Sequence, residues 1–394
     1  MKKILLCLDN SEDSTAGIDL GIEIALALGS TLTGLHVYAA RLHNERFRQM
    51  ESGLPEEYQS ERELKRQRSI HDDLITRGLE IISDSYMTVL HAKAATSGIN
   101  AEGLSCEGKN FVEILREAEE GNYGLIILGA LGLGRTKRSV TGSVCERVTR
   151  RTSRNTLVVK EGHLGRTGDD VVVAVDGSPC SFGAVLRGME LSRAFGSTLH
   201  IISVYDPDFH YAAFRSIAGV LTKEASRVFR FEEQKALHNN IIDRGLARIY
   251  RGHLMAAAAL ARARGVHART ELMAGKPFDR VSEYVAEKRP RFLVLGKTGV
   301  HRTDGLDIGS LTENCLRGCG ANILIVTDEL QGALEKTPHE NGPTWTEEAK
   351  KMLAPIPAFA RSAARAMAIE AAIDAGIKII TPEFLERFRK DLGF

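Results

Sequence analysis

The sequence predicts an α/β protein made of two consecutive open parallel sheets with flanking helices, followed by a small all-α domain. Three observations predict it. Runs such as Leu125-Ile-Ile-Leu128 and Phe292-Leu-Val-Leu295 are apolar at every position, as strands covered on both faces are. Segments of helical spacing alternate with these runs, which implies a parallel sheet. The pattern of the first half then recurs in the second at a fixed offset of 167 residues.

That offset links Asp9 to Asp176, Ser11 to Ser178, Gly29-Ser30 to Gly196-Ser197, and Val37-Tyr38 to Val204-Tyr205. It also links His71 to His238, Arg77-Gly78-Leu79 to Arg244-Gly245-Leu246, Lys109 to Lys276, and Phe111 to Phe278. A constant offset over so long a span is a duplication with little net insertion. Repeat one covers residues 1–163 and repeat two residues 168–330. The glycine-rich stretch from Gly162 to Gly168 joins them.

Ile4–Leu8 is a short first strand, and Asp13–Leu28 has helical spacing that stops at Gly29. Thr31–Val37 is a second strand. From Arg41 to Ser69 the chain is polar, with an exposed helix beginning at Glu61, and Ile70–Ala95 is a long helix. Ala101–Cys106 follows as a third strand, Phe111–Ala118 as a helix and Leu125–Leu128 as a fourth strand. A helix over Val144–Arg150 and a fifth strand at Thr156–Val159 complete the repeat. Repeat two follows with Val171–Val175, Leu186–Phe195, Leu199–Val204, Ala268–Leu272, Phe292–Leu295 and Ile323–Val326.

After Asp328 the composition shifts. Residues 331–343, with Pro338, Gly342 and Pro343, read as a linker. Residues 344–394 read as three helices: Thr346–Leu353 with a capping box over Thr344–Glu347, an alanine-rich one over Phe359–Ala375, and a last one after Thr381-Pro382. About fifty residues make a marginal core, so docking or dimerisation would help it.

The bulk numbers exclude several function classes. Formal net charge is +1, which gives no global field for nucleic acid or an anionic membrane. No apolar run is long enough to cross a bilayer. The apolar part of the N-terminus stops at Asp9, too short for a signal peptide. Six cysteines without a CxxC pair indicate a reducing compartment, so a cytoplasmic protein is expected. Cys315 and Cys319, which could share a helix face, read as small buried residues rather than a metal or redox pair.

Chemistry concentrates in two stretches with the same spacing. One reads Gly129-x2-Gly132-x9-Gly142-Ser143 and the other Gly296-x2-Gly299-x9-Gly309-Ser310. Each follows an apolar strand and precedes a helix. Glycines let the backbone approach a ligand closely. A helix N-terminus presents unpaired N–H groups and partial positive charge, and a serine there can cap the helix or bond a phosphate. A bare turn and a capped helix are the plainer readings, but the double match favours an anion cradle. In parallel sheets ligands sit beyond the carboxyl ends of strands, where strand order reverses. Asp9 and Asp176 end first strands, and the glycine stretches follow fourth strands, so both converge on a nucleotide-sized crevice.

Arg135 with Lys137-Arg138, and Lys297 with His301-Arg302, lie inside the loops, either neutralising phosphates or simply solvated. Ala130 stands where the second loop has Lys297, and Gly134 where it has His301, so the two sites are expected to differ in affinity. No Gly-x4-Gly-Lys-Ser/Thr occurs, which excludes a P-loop. No carboxylate pair or Ser/His/Asp spacing marks a catalytic site. His71 and His238 read as structural contacts.

Gly-x2-Gly-x9-Gly-Ser, with an aspartate ending the first strand, resembles the nucleotide-binding branch of the universal stress protein family. The resemblance implies an open five-stranded parallel sheet in each repeat, of the adenine nucleotide alpha hydrolase-like kind, with the two halves of a tandem chain pairing internally. It implies ATP as ligand, with the need for magnesium left open. Asp9 and Asp176 would lie at the adenine or its neighbourhood, with helix capping as their plainer role. Val37 and Val204 would meet the base through their backbone, Gly129, Gly132, Gly296 and Gly299 would meet phosphates, and Gly142, Ser143, Gly309 and Ser310 would hold the far phosphates. Residues 41–95 and 206–262 exceed the family pattern and could cover the crevice or add an interface.

The tail resembles the small helical domain ending one subunit of light-independent protochlorophyllide reductase, through Trp345, Ala349, Leu353, Pro357, Phe359, Arg361, Arg365, Glu370, Ala372, Gly376, Ile379-Ile380-Thr381 and Glu383. It carries no reductase activity over, because the chain shows no cysteine set for an iron–sulfur cluster. Arg361 and Arg365 read as a solvated face or an acidic partner's contact. The expectation is thus an ATP-binding regulator in the stress response, with a protein partner or self-association and the tail as docking module. A slow ATPase or self-phosphorylating enzyme, and a helical scaffold with vestigial sites, are the alternatives.

Overall fold

The computed structural model describes residues 1–136, 139–161, 168–207, 243–300, 308–330 and 343–354, and from 361 to 391 all but 362, 363, 366, 367, 370, 373 and 374. The predicted linker up to Gly342, His238, Lys137-Arg138, His301-Arg302 and much of the alanine-rich tail helix lie outside the described residues. Compactness divides the chain into one unit of Met1–Gly168 with Leu316–Ile325, and another of Asp169–Cys315 with Val326–Phe394.

In the first unit β1 (Lys3–Cys7), β2 (Thr31–Tyr38), β3 (Ala101–Glu107), β4 (Leu125–Gly129) and β5 (Asn155–Val159) form a parallel sheet in the order β3-β2-β1-β4-β5. Flanking it are α1 (Glu12–Leu28), α2 (Ala40–Met50), α3 (Glu61–Thr96), α4 (Asn110–Glu120) and α5 (Ser143–Arg151). The strand order reverses between β1 and β4, so both carboxyl ends open onto the same crevice. Leu5, Ile126, Leu128, Val148 and Val158 lie together in a buried cluster under one face.

Local signals explain these elements. Ser11 caps α1 by accepting from Ser14 N, and Gly29 ends the helix at φ 61°, a left-handed conformation that favours glycine. Ser60 caps α3 in the same way through Glu63 N. The two helices expected between residues 61 and 95 are one helix of 36 residues. Residues 61–69 carry no apolar face, which hid the continuity, but pairs such as Gln67 to Glu63 (2.7 Å) hold the first turns together.

The sheet gains an edge pairing that the sequence did not disclose. The strand expected at Ile323–Val326 is β10 (Asn322–Val326), and it runs antiparallel to β5, with Leu324 opposite Leu157. All five β5 residues are buried, so an uncovered β5 would be a long apolar edge. Lys160, just after β5, is itself buried. Its Nζ donates to Leu316 O (2.7 Å) and Cys319 O (2.8 Å), a cation at the end of a helix where carbonyls lack partners.

The second unit repeats the pattern. β6 (Val171–Ala174), β7 (Leu199–Tyr205), β8 (Ala268–Ala274) and β9 (Phe292–Gly296) pair in parallel in the order β9-β6-β7-β8. Its helices are α6 (Pro179–Phe195), α7 (Asp243–Ala263), α8 (Pro277–Lys288) and α9 (Ser310–Gly318). Ser178 caps α6 with Pro179 in its first turn, and Gly196 closes it at φ 62°.

The tail contains α10 (Glu347–Met352) and α11 (Pro382–Asp391), and it adds a short parallel ladder of β11 (Thr344–Trp345) with β12 (Ile379–Ile380). Thr346, two residues later than the expected cap, accepts from Ala349 N, because Thr344 is engaged in the ladder. Ala349, Ala368, Ala372, Ile380, Phe384 and Leu385 form its core, and the Arg365 guanidinium lies 5.7 Å from the centre of the Trp345 ring. Arg361 donates to Ala354 O at 3.1 Å. No helix among the described residues is long and apolar enough to cross a membrane.

Candidate functional site

Each unit has a cavity at the carboxyl ends of its strands. The first encloses about 600 Å³ and the second about 360 Å³, both within the range of small-molecule sites. The first is lined by Asp9, Val37, Gly129, Gly132, Gly142 and Ser143. The second is lined by Asp176, Val204, Gly296, Gly299, Gly309 and Ser310. Every candidate residue therefore borders the cavity of its own repeat.

The backbone amides sort into two groups. Some are consumed by the protein itself. Ala130 N donates to Val159 O, Leu131 N to Asp13 Oδ2 and Gly142 N to Ala130 O. In the second loop Lys297 N donates to Val326 O, Val300 N to Asp176 Oδ2 and Gly309 N to Lys297 O. Others have no partner among the described residues: Gly132, Ser143, Val144 and Cys145 in the first unit, and Gly299, Ser310, Leu311 and Thr312 in the second. These N–H groups sit at the heads of α5 and α9 and at the second glycine of each loop. Helix N-termini of this kind attract anions through their unpaired donors and the helix dipole.

The aspartates hold the other side. Asp9 Oδ1 accepts from Ser11 N (3.1 Å) and Ser11 Oγ (2.6 Å), so it orients the residue that caps α1 rather than capping the helix directly. Asp176 does the same for Ser178, at 3.0 and 2.7 Å. A Cβ on Gly132 would lie 2.6 Å from Asp9 Oδ2, and a Cβ on Gly299 would lie 2.6 Å from Asp176 Oδ2. Neither glycine has a positive φ, so each is required by this close approach of a carboxylate, not by backbone conformation. Gly129 serves a different need. A Cβ there would meet Asp13 Cβ at 2.8 Å and Ser14 N at 3.0 Å, so its lack of a side chain lets α1 pack on β4.

Three residues that sequence reasoning missed complete the first cavity. His36 and Tyr86 line it, their rings 4.8 Å apart and edge to face. His36 Nδ1 lies 2.7 Å from Ser83 Oγ. Burial lowers the His36 pKa from its ordinary value, outweighing the nearby Asp9, so the ring is neutral at pH 7. Thr141 Oγ1 is buried beside the cavity without a partner among the described residues. Tyr86 stands 167 residues before His253, which packs over Gly177 in the second unit, so the two repeats place different rings at this position.

Sites one and two are not copies. His36 is matched by Ser203, whose Oγ donates to Val175 O at 2.7 Å. Tyr250 lines the second cavity at the place where Ser83 stands in the first repeat. Asp13, buried at the head of α1, is matched by Cys180. At the rim of the first cavity Arg135 is already paired with Glu12 at 2.9 Å. Burial raises the Cys7 thiol and pushes Cys145 up to about 12, so both thiols bordering this cavity are protonated and poor nucleophiles. His71 stacks on Phe47 at 4.3 Å and meets Asn44 Oδ1, a structural contact away from the cavity. No cluster of metal-ligating side chains occurs among the described residues.

Comparison with known proteins supplies the context. The universal stress protein family model matches residues 1–160 and 169–327. The model of the proto-chlorophyllide reductase 57 kD subunit matches residues 345–389. Universal stress protein YxiE of Bacillus subtilis is 26% identical over 158 residues, 40% of this chain and 98% of that protein. The crystal structure of a universal stress protein from Archaeoglobus fulgidus is similar with a TM-score of 0.53 and 18% identity, covering 82% of this chain and 97% of that one. A protein of unknown function from Pseudomonas aeruginosa is similar with a TM-score of 0.51 and 14% identity, covering 83% and 92%. These likenesses to solved structures concern the fold.

Proposed function

The chain belongs to the universal stress protein family through both repeats, and on that premise we propose that it is an ATP-binding regulator with a nucleotide site in each. The observation that carries the reading is the set of amides without a partner among the described residues, at Gly132, Ser143 and Val144 and at Gly299, Ser310 and Leu311, bordering the cavities at helix heads. Phosphates accept from these donors. Ser143 and Ser310 add hydroxyls there, and Gly142 and Gly309 set the helix starts. The base lies toward Asp9 and Val37 in the first site, with His36 and Tyr86 beside it, and toward Asp176 and Val204 in the second, with Tyr250 beside it.

Binding stabilises the loops and biases a protein partner or self-association, while residues 344–394 act as a docking module beyond the linker of 331–343. The repeats are domains at 1–163 and 168–330, and the protein works in the cytoplasm. Micromolar affinity requires about 8 kcal/mol, within reach of several charge-assisted hydrogen bonds and a half-buried base. Equilibrium dialysis of the full chain against millimolar ATP tests the proposal. Retained nucleotide that competes with ADP supports it, and no retained adenine nucleotide rejects it. Single-turnover assays with labelled ATP separate a sensor, which holds ATP, from an enzyme, which releases phosphate.

A further inference from the structure

We propose that the outer face of α3 is a self-complementary surface that pairs two copies of this chain antiparallel about Ile81. Helix α3 buries Ser83, Met87, Leu90 and Ala94 on one side. Its opposite side carries Ile70, Leu74 and Ile81, which are 49%, 67% and 65% exposed. Their spacing of four and seven residues places them in one stripe, which Thr88 and Ala92 continue. Helix α2 does not cover it. That helix meets α3 elsewhere, through Phe47 on His71, and Glu51 just after it pairs with Arg68.

The stripe has a two-fold pattern that selects a second copy as its occupant. With an axis at Ile81, Ile70 faces Ala92 of the other copy, Leu74 faces Thr88, and Ile81 faces itself. Large residues in the first half thus meet small ones in the second, as an isologous contact requires. Charges agree with the same axis. Arg77 and Asp84 are exposed on one edge, seven residues apart, so that each Arg77 reaches the other copy's Asp84. Within the chain Arg77 has a loose contact with Asp73, at 3.8 Å between exposed side chains. Asp73, Glu80 and Asp84 along this edge disfavour an anionic lipid surface.

Size predicts a weak dimer. Residues 70–92 span about 34 Å, and a helix about 10 Å wide gives roughly 340 Å² per copy. The total of roughly 700 Å² falls below the standard stable interface and in the range of transient association. The proposal rests on the stripe alone and not on the nucleotide reading.

Sedimentation equilibrium of the full chain up to about 0.5 mM tests it. A reversible monomer–dimer equilibrium is expected, with its Kd raised at least tenfold by Ile81→Glu. Arg77→Asp alone weakens the dimer, and Arg77→Asp with Asp84→Arg restores it, which no misfolded variant would do. An Ile81→Cys variant is expected to cross-link to itself under mild oxidation. A chain that stays monomeric throughout, or a dimer unchanged by Ile81→Glu and by the Arg77 variant, overturns the proposal. So does loss of liposome binding by Ile81→Glu in a chain that never dimerises.

Discussion

Replacing Gly132 by alanine probes the first cavity at the point where carboxylate and free amide meet. The new Cβ would lie 2.6 Å from Asp9 Oδ2, whereas ordinary van der Waals contact begins at 3.4 Å. Asp9 must therefore retreat by about 0.8 Å, the difference between those distances. Its other oxygen accepts from Ser11 N and Ser11 Oγ at 3.1 and 2.6 Å, so the retreat strains bonds to a charged group. One such bond is worth about 1.5–3 kcal/mol. Alanine adopts the backbone without conformational penalty, since φ at Gly132 is not positive. The displacement thus acts on Asp9 and on access to the Gly132 amide, both assigned to the nucleotide. If that energy appears in binding, the ATP affinity of the first site falls about tenfold to a hundredfold. The second site keeps its affinity until Gly299→Ala is added, because the same 2.6 Å approach recurs at Asp176. Isothermal titration of the two single variants and the double variant reads this out, with thermal melting to confirm the fold. Unchanged ATP affinity in all three would refute the reasoning.

Other consequences follow from the same contacts. Ser143→Ala, which removes a hydroxyl at the head of α5 but leaves its backbone donors, should weaken ATP at the first site by about fivefold, roughly 1 kcal/mol; titration showing a change above a hundredfold would mean that the serine acts otherwise. Lys160→Met removes the two hydrogen bonds that the buried Nζ donates to the Leu316 and Cys319 carbonyls, so it should cost about 2–4 kcal/mol of stability in denaturant unfolding. Burial lowers the pKa of His36, His200 and His253 from 6.5, the opposing aspartates being the weaker influence. The unfolded chain then binds more protons than the folded one below about pH 6.5, so the stability they contribute is present above that value and declines as pH falls. The slope is up to about 1.4 kcal/mol per pH unit for each histidine. A urea midpoint that does not drop between pH 7.5 and about 5.5 would contradict this assignment.

Much of the molecule was legible because the repeat doubled each weak signal. Apolar strands, glycine stops after α1 and α6, and the glycine loops each appear at matched places, and the cavities lie where the convergence of Asp9 with Gly132 puts them. What stayed hidden depends on contacts between distant segments. Asp13 looks like an acid favoured in a first helical turn, yet it takes the Leu131 N–H at 3.0 Å. Tyr86 and Tyr250 enter the cavities from helices whose surroundings are polar, so nothing local marks them. The antiparallel pairing of β5 with β10 is likewise a matter of edge protection, which no periodicity encodes. Thr344 offered a capping-box spacing, but the β11 ladder claims that residue and Thr346 caps α10 instead.

The amides at the heads of α5 and α9 are open to a direct view. A crystal structure of the full chain grown with ATP is expected to place phosphate oxygens within about 3.2 Å of the nitrogens of Gly132, Ser143 and Val144, and of their counterparts Gly299, Ser310 and Leu311. Both cavities empty at saturating ATP, or nucleotide bound away from these amides, would contradict it.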